Sequence, residues 1–263
     1  MKQKITLLLM LAATMVKAQN LDMYVSDMYV SKSFISKGGT LPYRILFPEN
    51  FDASKKYPVV IFLHGSGERG SDNKAQLVHG SALFLKEDVR KNFPAIVVFP
   101  QCPSEGYWSN VDVESANNKR TFNFVEGGNP TKAMELLMGM VDELRSLPYT
   151  NKKQFYAGGL SMGGMGTFEL LRRKPQVFAA AIVICGGDNL ENAKRYKKVP
   201  LWIFHGAKDD VVAPENSEKV AIALKAMGAD IQFTLYPQAN HNIWNSAFAE
   251  PNLLSWLFSN RKK

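Results

Sequence analysis

The sequence predicts an α/β protein with a mostly parallel sheet and helices on both faces of that sheet. Two observations support this prediction. Continuous apolar runs, as at residues 58–63 and 95–99, are typical of central parallel strands that are covered on both sides. These runs alternate along the chain with longer segments whose apolar residues recur at helical spacing, as expected for helices that flank a sheet.

The predicted elements follow one another in a regular series. Residues 29–35 and 42–47 are expected to form an opening antiparallel pair. The helix at residues 131–147 begins after Pro130, ends before Pro148 and has an apolar stripe with a period of 3.6 residues. The predicted strands cover residues 29–35, 42–47, 58–63, 95–99, 154–157, 180–184, 200–204 and 231–236, and the predicted helices cover residues 131–147, 165–173, 215–227 and 245–258.

The first 18 residues differ from the rest of the 263-residue chain. Two lysines precede an apolar run at residues 5–15, and Val16 and Ala18 place small residues at the positions that a signal peptidase reads. We therefore expect a signal peptide at residues 1–18, a single mature domain at residues 19–263, and secretion or periplasmic localisation. The run is shorter than the about 20 residues of a membrane-spanning helix, so no membrane insertion is expected after leader removal.

Charge and metal-ligand spacing exclude several function classes. The formal charge is +8, and it falls to +5 without the leader, which carries three lysines and no acidic residue. The basic residues are scattered, and the runs at residues 194–198 and 261–263 do not have the aromatic interleaving of a nucleic-acid groove, so no nucleic-acid partner is expected. The four histidines and two cysteines have no metal-binding spacing, so neither a metal nor another cofactor is expected.

Residues 159–163, with the sequence GLSMG, have the spacing of a nucleophile elbow between a predicted strand and a predicted helix. A serine projects into a cleft only if the backbone reverses sharply around it, which leaves no room for Cβ atoms two residues to either side. Gly159 and Gly163 provide that room and make Ser161 a candidate nucleophile. The alternative is a flexible glycine-rich turn, because a short motif of this kind also arises by chance.

Two candidate partners for Ser161 occur later in the chain, each in a loop directly after a predicted strand. Asp209 follows the strand at residues 200–204, and His241 follows the strand at residues 231–236. Ser, Asp and His in this order form the catalytic triad of α/β-hydrolases. A serine hydroxyl needs a base such as histidine to attack an ester carbonyl, and the acid holds the imidazole in one tautomer.

Together with the LHGSGERG sequence at residues 63–70, these motifs resemble the α/β-hydrolase superfamily over about residues 28–259. The similarity is greatest to compact secreted serine esterases, which include feruloyl and acetylxylan esterases and the polyhydroxybutyrate depolymerase-like group. The resemblance implies an α/β-hydrolase fold with an eight-stranded sheet and a catalytic triad of Ser161, Asp209 and His241.

The resemblance also implies an oxyanion hole beside the nucleophile. Its two donors are expected to be the backbone amides of Met162 and Ser66, with Gly67 as the alternative to Ser66. His64 is expected to hold this turn by hydrogen bonding and not to act as a second base.

Three further residues are alternatives to the candidate base, His241, or to the candidate acid, Asp209. In similar enzymes a histidine at the position of His205 braces the acid loop, so a structural role is expected for it. Asp210 is an alternative acid because it adjoins Asp209, and it is expected to be solvated or to cap the loop. Asp188 follows the preceding strand and is expected to cap a helix.

The strand order implied by the resemblance keeps the two cysteines apart. Cys102 and Cys185 follow strands that two others separate, which puts the strand axes about 14 Å apart. Because the Cα atoms of a disulfide lie within roughly 7 Å of each other, both cysteines are expected to be unpaired.

Two connections bear on the substrate. The connection at residues 186–199 has only 14 residues and is too short for a large helical lid, so an open cleft is expected. The connection at residues 101–129 is long and carries aromatic residues, which are expected either to contact substrate or to pack the loop onto the body. Trp108 is the candidate substrate-binding residue.

These observations predict an exported serine carboxylesterase that acts on acetyl or feruloyl esters of plant polysaccharide. The alternatives are a peptidase or a general aryl or alkyl esterase on the same fold, and a non-catalytic glycan-binding protein. The expected partner is an ester substrate, and the sequence does not determine the oligomeric state.

Overall fold

A computed structural model describes residues 25–116 and 119–263, so the predicted leader lies outside the described residues. The chain forms an eight-stranded, mostly parallel sheet flanked by helices, which confirms the predicted fold class, and a second sheet of two strands. The strands are β1 (Val30–Ser36), β2 (Gly39–Leu46), β3 (Tyr57–Leu63), β4 (Ile96–Pro100), β5 (Val111–Ala116), β6 (Lys119–Phe124), β7 (Thr150–Leu160), β8 (Ala180–Ile184), β9 (Leu201–Gly206) and β10 (Ile231–Tyr236). The helices are α1 (Glu87–Asn92), α2 (Lys132–Ser146), α3 (Met162–Arg173), α4 (Ala193–Tyr196), α5 (Glu215–Ala226), α6 (Trp244–Phe248) and α7 (Leu253–Ser259), with short 3-10 turns at Ser66–Glu68, Ala75–Leu77, Ser81–Leu85 and Leu190–Asn192.

The strands of the large sheet lie in the order β1-β2-β4-β3-β7-β8-β9-β10. β2 pairs with β1 and with β4 in antiparallel orientation, and all other pairs in this sheet are parallel. The carboxyl ends of the parallel strands therefore meet at one edge of the sheet, which is where ligands bind in folds of this kind. Ser161, Asp209 and His241 all lie at this edge, directly after β7, β9 and β10 or a few residues beyond them.

Apolar side chains fill both faces of the large sheet. In β3, Val59, Ile61 and Leu63 belong to the core on one face, and Val60 and Phe62 belong to the core on the other. This alternation follows from the two-residue period of a strand. Helices α2, α3 and α5 cover the first face, and α1, α6 and α7 cover the second. Burial on both sides explains why the central strands are continuous apolar runs.

The single helix predicted at residues 245–258 is wrong, because this segment forms two helices, α6 and α7. Pro251 lies between them. A proline has no backbone N–H to donate and its ring clashes with the carbonyl four residues earlier, so it ends a helix even where the apolar period continues.

The long connection at residues 101–129 contains an antiparallel hairpin, formed by β5 and β6, that the sequence did not predict. In β5 only Val111 is partly buried, and the residues from Asp112 to Ala116 are exposed. The strands have no continuous apolar run, and in β6 the partly buried Phe122 and Phe124 alternate with exposed polar residues.

Cys102 and Cys185 are buried and unpaired, as the strand order predicts. Among the helices of the described residues, none combines the length and the apolar character that crossing a bilayer requires.

Candidate active site

Ser161 lies in a sharp turn between β7 and α3, with a φ of 54° and a ψ of −120°. A Cβ atom added to Gly159 would lie 2.2 Å from the carbonyl oxygen of Gly163, and one added to Gly163 would lie 2.0 Å from the carbonyl oxygen of Leu63. Both distances are far below van der Waals contact, so only glycine fits at these positions. The steric reason for the glycines in the elbow is confirmed, and the left-handed φ strains the serine backbone.

The side chains of Ser161, His241 and Asp209 form a continuous chain of hydrogen bonds. His241 Nε2 lies 2.9 Å from Ser161 Oγ, and His241 Nδ1 lies 2.7 Å from Asp209 Oδ2. Because a carboxylate only accepts, Nδ1 carries the proton that it donates to Asp209. Nε2 is then free to accept the proton of the serine hydroxyl, as a general base does.

Asp209 is buried and all of its oxygen lone pairs face donors. Its Oδ1 accepts from the backbone amides of Val211 and Val212, each at 2.9 Å. Its Oδ2 accepts from His241 and lies 3.1 Å from His205 Nε2. Burial opposes ionisation of this carboxyl, but the hydrogen bonds from the two histidines outweigh burial and hold its pKa well below the usual value. Asp209 is therefore an anion at neutral pH.

The structure distinguishes Asp209 from the alternative acids. Asp210 is exposed to solvent. Asp188 is not in contact with the histidine but accepts hydrogen bonds from Asn192 Nδ2 at 2.8 Å and from Tyr196 Oη at 2.9 Å. The expected helix cap is instead the next residue, Asn189, whose side chain accepts from the amide of Glu191.

His205 braces the acid loop and does not reach the serine. Its ring is fully buried, with Nε2 at 2.9 Å from the carbonyl oxygen of Val212 and Nδ1 at 2.7 Å from Ser217 Oγ. Both neighbours of Nε2, the carbonyl of Val212 and the carboxylate of Asp209, are acceptors, so Nε2 must carry a proton. His205 thereby contacts both the acid and the backbone three residues beyond it.

The turn after β3 lies beside the nucleophile. A Cβ atom on Gly65 would lie 3.7 Å from Ser161 Cβ. Ser66 is the first residue of a 3-10 turn and Met162 the first of α3. The first amides of a helical turn have no acceptor within it, so the amides of Ser66 and Met162 are available to an external oxygen. The amide of Gly67, the next residue in the 3-10 turn, has no acceptor there either, so an oxyanion hole at Met162 and at Ser66 or Gly67 stays a prediction.

His64 holds this turn in place. Its Nε2 accepts a hydrogen bond from the amide of Cys102 at 2.9 Å, so the proton is on Nδ1, which donates to the carbonyl of Gly65 at 2.6 Å. Burial lowers the pKa of His64 to about 4, and the ring is neutral at physiological pH. Glu68 and Arg69 do not pair with each other. Glu68 lies 3.8 Å from His79, and Arg69 donates to backbone carbonyls.

Ser161 and His241 open into a cleft of about 460 Å³, which also includes the turn at Ser66. Aromatic rings line its walls, and they are Tyr107, Phe122 and Trp244. The ring of Trp244 lies 5.5 Å from that of His241, edge to face. Sequence reasoning missed Trp244, although its position three residues after His241 could have revealed it.

The expectation that Trp108 binds substrate is wrong. Its side chain is fully buried and packs against His64, with ring centroids 5.4 Å apart. A Cβ atom on Gly166 of α3 would lie 2.3 Å from Trp108 Cβ, so the tryptophan and the helix are in close contact. The connection folds back over α3 at this point, and its largest apolar side chain fills the core. The neighbouring Tyr107 faces the cleft instead.

Known proteins resemble the chain in both sequence and fold. The profile of the dienelactone hydrolase family matches residues 104–252. The probable carboxylesterase Os04g0669600 of Oryza sativa subsp. japonica is 26% identical over 213 residues, which cover 73% of this chain and 84% of that protein. Dipeptidyl peptidase 4 of Felis catus is 24% identical over 232 residues, which cover 76% of this chain but only 28% of the peptidase.

Solved structures with a similar fold include two esterases. A thermostable esterase is 30% identical, with a TM-score of 0.81 over 91% of this chain, and this chain spans 64% of that esterase. A ferulic acid esterase shares the fold at 16% identity, with a TM-score of 0.64 over 88% of this chain and 97% of its own. The family profile covers more than half of the sequence, and the similar proteins include esterases. The protein therefore belongs to the dienelactone hydrolase family of α/β-hydrolases and is a serine hydrolase.

Proposed function

We propose that the protein is a secreted serine carboxylesterase whose catalytic triad is Ser161, His241 and Asp209. The observation that carries this proposal is the hydrogen-bonded chain from the carboxylate through the imidazole to a serine in a strained elbow, at 2.7 Å and 2.9 Å. A histidine held in this tautomer accepts the serine proton as the hydroxyl attacks.

The reaction follows from these positions. Ser161 Oγ attacks the ester carbonyl while His241 Nε2 takes its proton, and the amides of Met162 and Ser66 stabilise the resulting oxyanion. The imidazolium then donates that proton to the oxygen of the leaving alcohol, and the C–O bond of the ester breaks. Water attacks the acyl-enzyme by the same steps and releases the acid and the free serine.

The substrates that we propose are acetyl or feruloyl esters on plant polysaccharide. The supporting observations are an open cleft with aromatic walls and the absence of a large lid in the connection at residues 186–199, whose described elements are one 3-10 turn and the four-residue α4. Aromatic rings suit the flat faces of sugars and of phenolic acids. A ferulic acid esterase has the same fold, which supports an ester as the substrate class.

Replacement of the nucleophile tests the assignment. Ser161→Ala should lower kcat for 4-nitrophenyl acetate by at least about 10³-fold and abolish labelling by a fluorophosphonate probe. Ser255→Ala, at an exposed serine, is the matched control and should behave as the wild type. Retention of more than a few per cent of the activity in Ser161→Ala would refute the triad, and an unlabelled wild type would favour a non-catalytic glycan-binding protein.

A peptidase is the second candidate function, because dipeptidyl peptidase 4 is among the relatives. The paired substrates glycyl-prolyl 4-nitroanilide and 4-nitrophenyl acetate distinguish the two. We expect hydrolysis of the ester and not of the anilide, whereas the reverse preference would identify a peptidase. Export is tested separately by the mass of the protein from the culture medium or periplasm, which should begin at Gln19.

A further inference from the structure

The hairpin of β5 and β6 forms its own two-stranded sheet and is attached to the body of the protein at its base. Where the chain enters the hairpin, the amide of Asn110 donates to Glu169 Oε2 at 2.8 Å. Where the chain leaves it, Arg172 donates to the carbonyl of Gly127 at 2.6 Å and Arg173 donates to the carbonyl of Gly128 at 3.1 Å. Helix α3, which starts at the nucleophile, therefore holds both ends of the hairpin.

Glu169 is the centre of this attachment. Its side chain is 2% exposed, and its two oxygens accept from Arg172 at 2.7 Å and from Arg173 at 2.8 Å. Gly127 and Gly128, whose carbonyls accept these hydrogen bonds, have φ values of 65° and 71°, in the left-handed region that favours glycine. A buried ion pair of this kind costs desolvation energy and contributes little net stability, but it fixes geometry.

One face of the hairpin forms a wall of the cleft. Val113 pairs with Phe122 and Ser115 pairs with Arg120, and all four side chains line the cleft. The pair between them, Glu114 and Thr121, points to the opposite side, as the two-residue period of a strand requires. The contacts of α3 with the base of the hairpin therefore contribute to the position of Phe122 relative to Ser161. Asn189 and Asn192, outside α3, also hold the hairpin by donating to the carbonyls of Phe124 and Val125.

The segment that leads into the hairpin and the helix that follows the catalytic histidine pack on opposite faces of the sheet. Tyr107 packs on the core that α2 and α3 cover, and Trp244, beside His241, packs on the core that α6 and α7 cover. In the proposed mechanism, His241 donates its proton to the leaving alcohol, so the alcohol lies on the side of Trp244. The acyl group then extends toward the hairpin.

We propose that the hairpin is a recognition arm for the acyl part of the ester, and that Glu169, Arg172 and Arg173 are positioning residues that set its place. This inference rests on the proposed esterase function and narrows it. The preferred substrates are esters of acids that carry an aromatic ring, which packs on Phe122, while a small acyl group such as acetyl does not reach the arm.

The test compares three esters: methyl acetate, methyl ferulate with its ring on the acyl side, and phenyl acetate with its ring on the alcohol side. Phe122→Ala should lower the ratio of kcat/KM for methyl ferulate to that for methyl acetate by about tenfold. Thr121→Ala, on the outer face of the hairpin, is the control and should leave the ratio unchanged. An equal loss for phenyl acetate in Phe122→Ala would overturn the assignment to the acyl side.

Arg173→Gln tests the positioning role. Glu169→Gln would leave two arginines without a carboxylate and could prevent folding. Arg173 is partly exposed, and its replacement removes only the hydrogen bond to Gly128 and the pair with Glu169, while Arg172 still donates to Gly127. The KM for methyl ferulate should rise at least about threefold with kcat little changed, and the amides of the hairpin should exchange hydrogen faster. The control Lys174→Gln removes a neighbouring cation that pairs with Asp142 on α2 and not with the hairpin.

The outcomes separate this proposal from the esterase function. If the wild type hydrolyses methyl acetate but Phe122→Ala and Arg173→Gln retain the wild-type ratio, the recognition arm is refuted and the esterase stands. If Arg173→Gln lowers kcat for all three esters together, the arginine has only a structural role and the positioning proposal fails. If no ester is hydrolysed, the proposed function fails. Faster amide hydrogen exchange in Arg173→Gln would then show only that this arginine attaches the hairpin.

Discussion

Asp209→Asn is the substitution that should separate the role of the acid from its shape. The asparagine side chain has nearly the same size as the aspartate side chain, but an NH₂ donor replaces one of the two carboxyl oxygens. If the NH₂ takes the place of Oδ2, it faces Nδ1 of His241 at 2.7 Å and Nε2 of His205 at 3.1 Å. His241 would then have to accept at Nδ1 and carry its proton on Nε2, where it can no longer take the proton of Ser161.

The opposite orientation of the amide is no better. The NH₂ would then face the amides of Val211 and Val212, which would lose their acceptor at 2.9 Å. His205 cannot adapt in the first orientation either, because Nε2 also donates to the carbonyl of Val212. In either orientation, a buried N–H group is left without an acceptor, which costs about 1–3 kcal/mol of stability.

The wrong tautomer should lower kcat by about 10⁴-fold, equivalent to about 5.5 kcal/mol of transition-state stabilisation. The assay is steady-state hydrolysis of 4-nitrophenyl acetate, together with urea unfolding to measure the loss of stability. Asp210→Asn makes the same chemical change at the exposed neighbour and serves as the control. More than about 1% residual kcat in Asp209→Asn, or an equal loss in Asp210→Asn, would refute the assignment of the acid.

Two further predictions concern stability. Trp108→Ala should lower the free energy of unfolding by about 3–5 kcal/mol, because it empties a fully buried site. Urea denaturation measures the change. A raised KM with an unchanged free energy of unfolding would instead restore a role in substrate binding. Burial raises the pKa of Asp188 to about 6, so acidification from pH 6 to 4 protonates this residue in the folded state and stabilises the fold. The low pKa of His64, about 4, acts in the opposite direction, because the unfolded histidine takes up a proton first and acidification from pH 6.5 to 4 favours unfolding. On acidification from pH 7 to 4, the Tm of Asp188→Asn should therefore fall more steeply than the Tm of the wild type. Parallel plots of Tm against pH for the two proteins would contradict the raised pKa of Asp188.

The sequence predicted well those features that depend on local geometry or on sheet topology. The elbow was predictable because the space around Ser161 excludes a Cβ atom at two fixed positions, and this requirement is visible as glycines. The loops of Asp209 and His241 were predictable as neighbours, because the carboxyl ends of parallel strands meet at one edge. The sheet itself follows from apolar runs that are covered on both faces.

The features that the sequence did not predict depend on contacts between distant segments. Trp108 was a reasonable binding residue as long as residues 101–129 were considered alone. Its burial depends on Gly166, a helical glycine 58 positions later that allows the backbone of α3 to approach it closely. The hairpin is hidden for the same reason, since its strands are mostly polar and exposed, and Glu169 holds its base from another part of the chain.

These distant contacts converge on helix α3, and this has a consequence for how the site can vary. The helix begins at Met162, whose amide is the predicted oxyanion donor, and two turns later it carries Glu169, which holds the hairpin. A rigid helix transmits a shift at one end to the other, so the catalytic and recognition parts of the cleft are fixed relative to each other. Changes of specificity without loss of catalysis should therefore arise from side chains on the hairpin, such as Phe122, more readily than from the residues of α3 that anchor it.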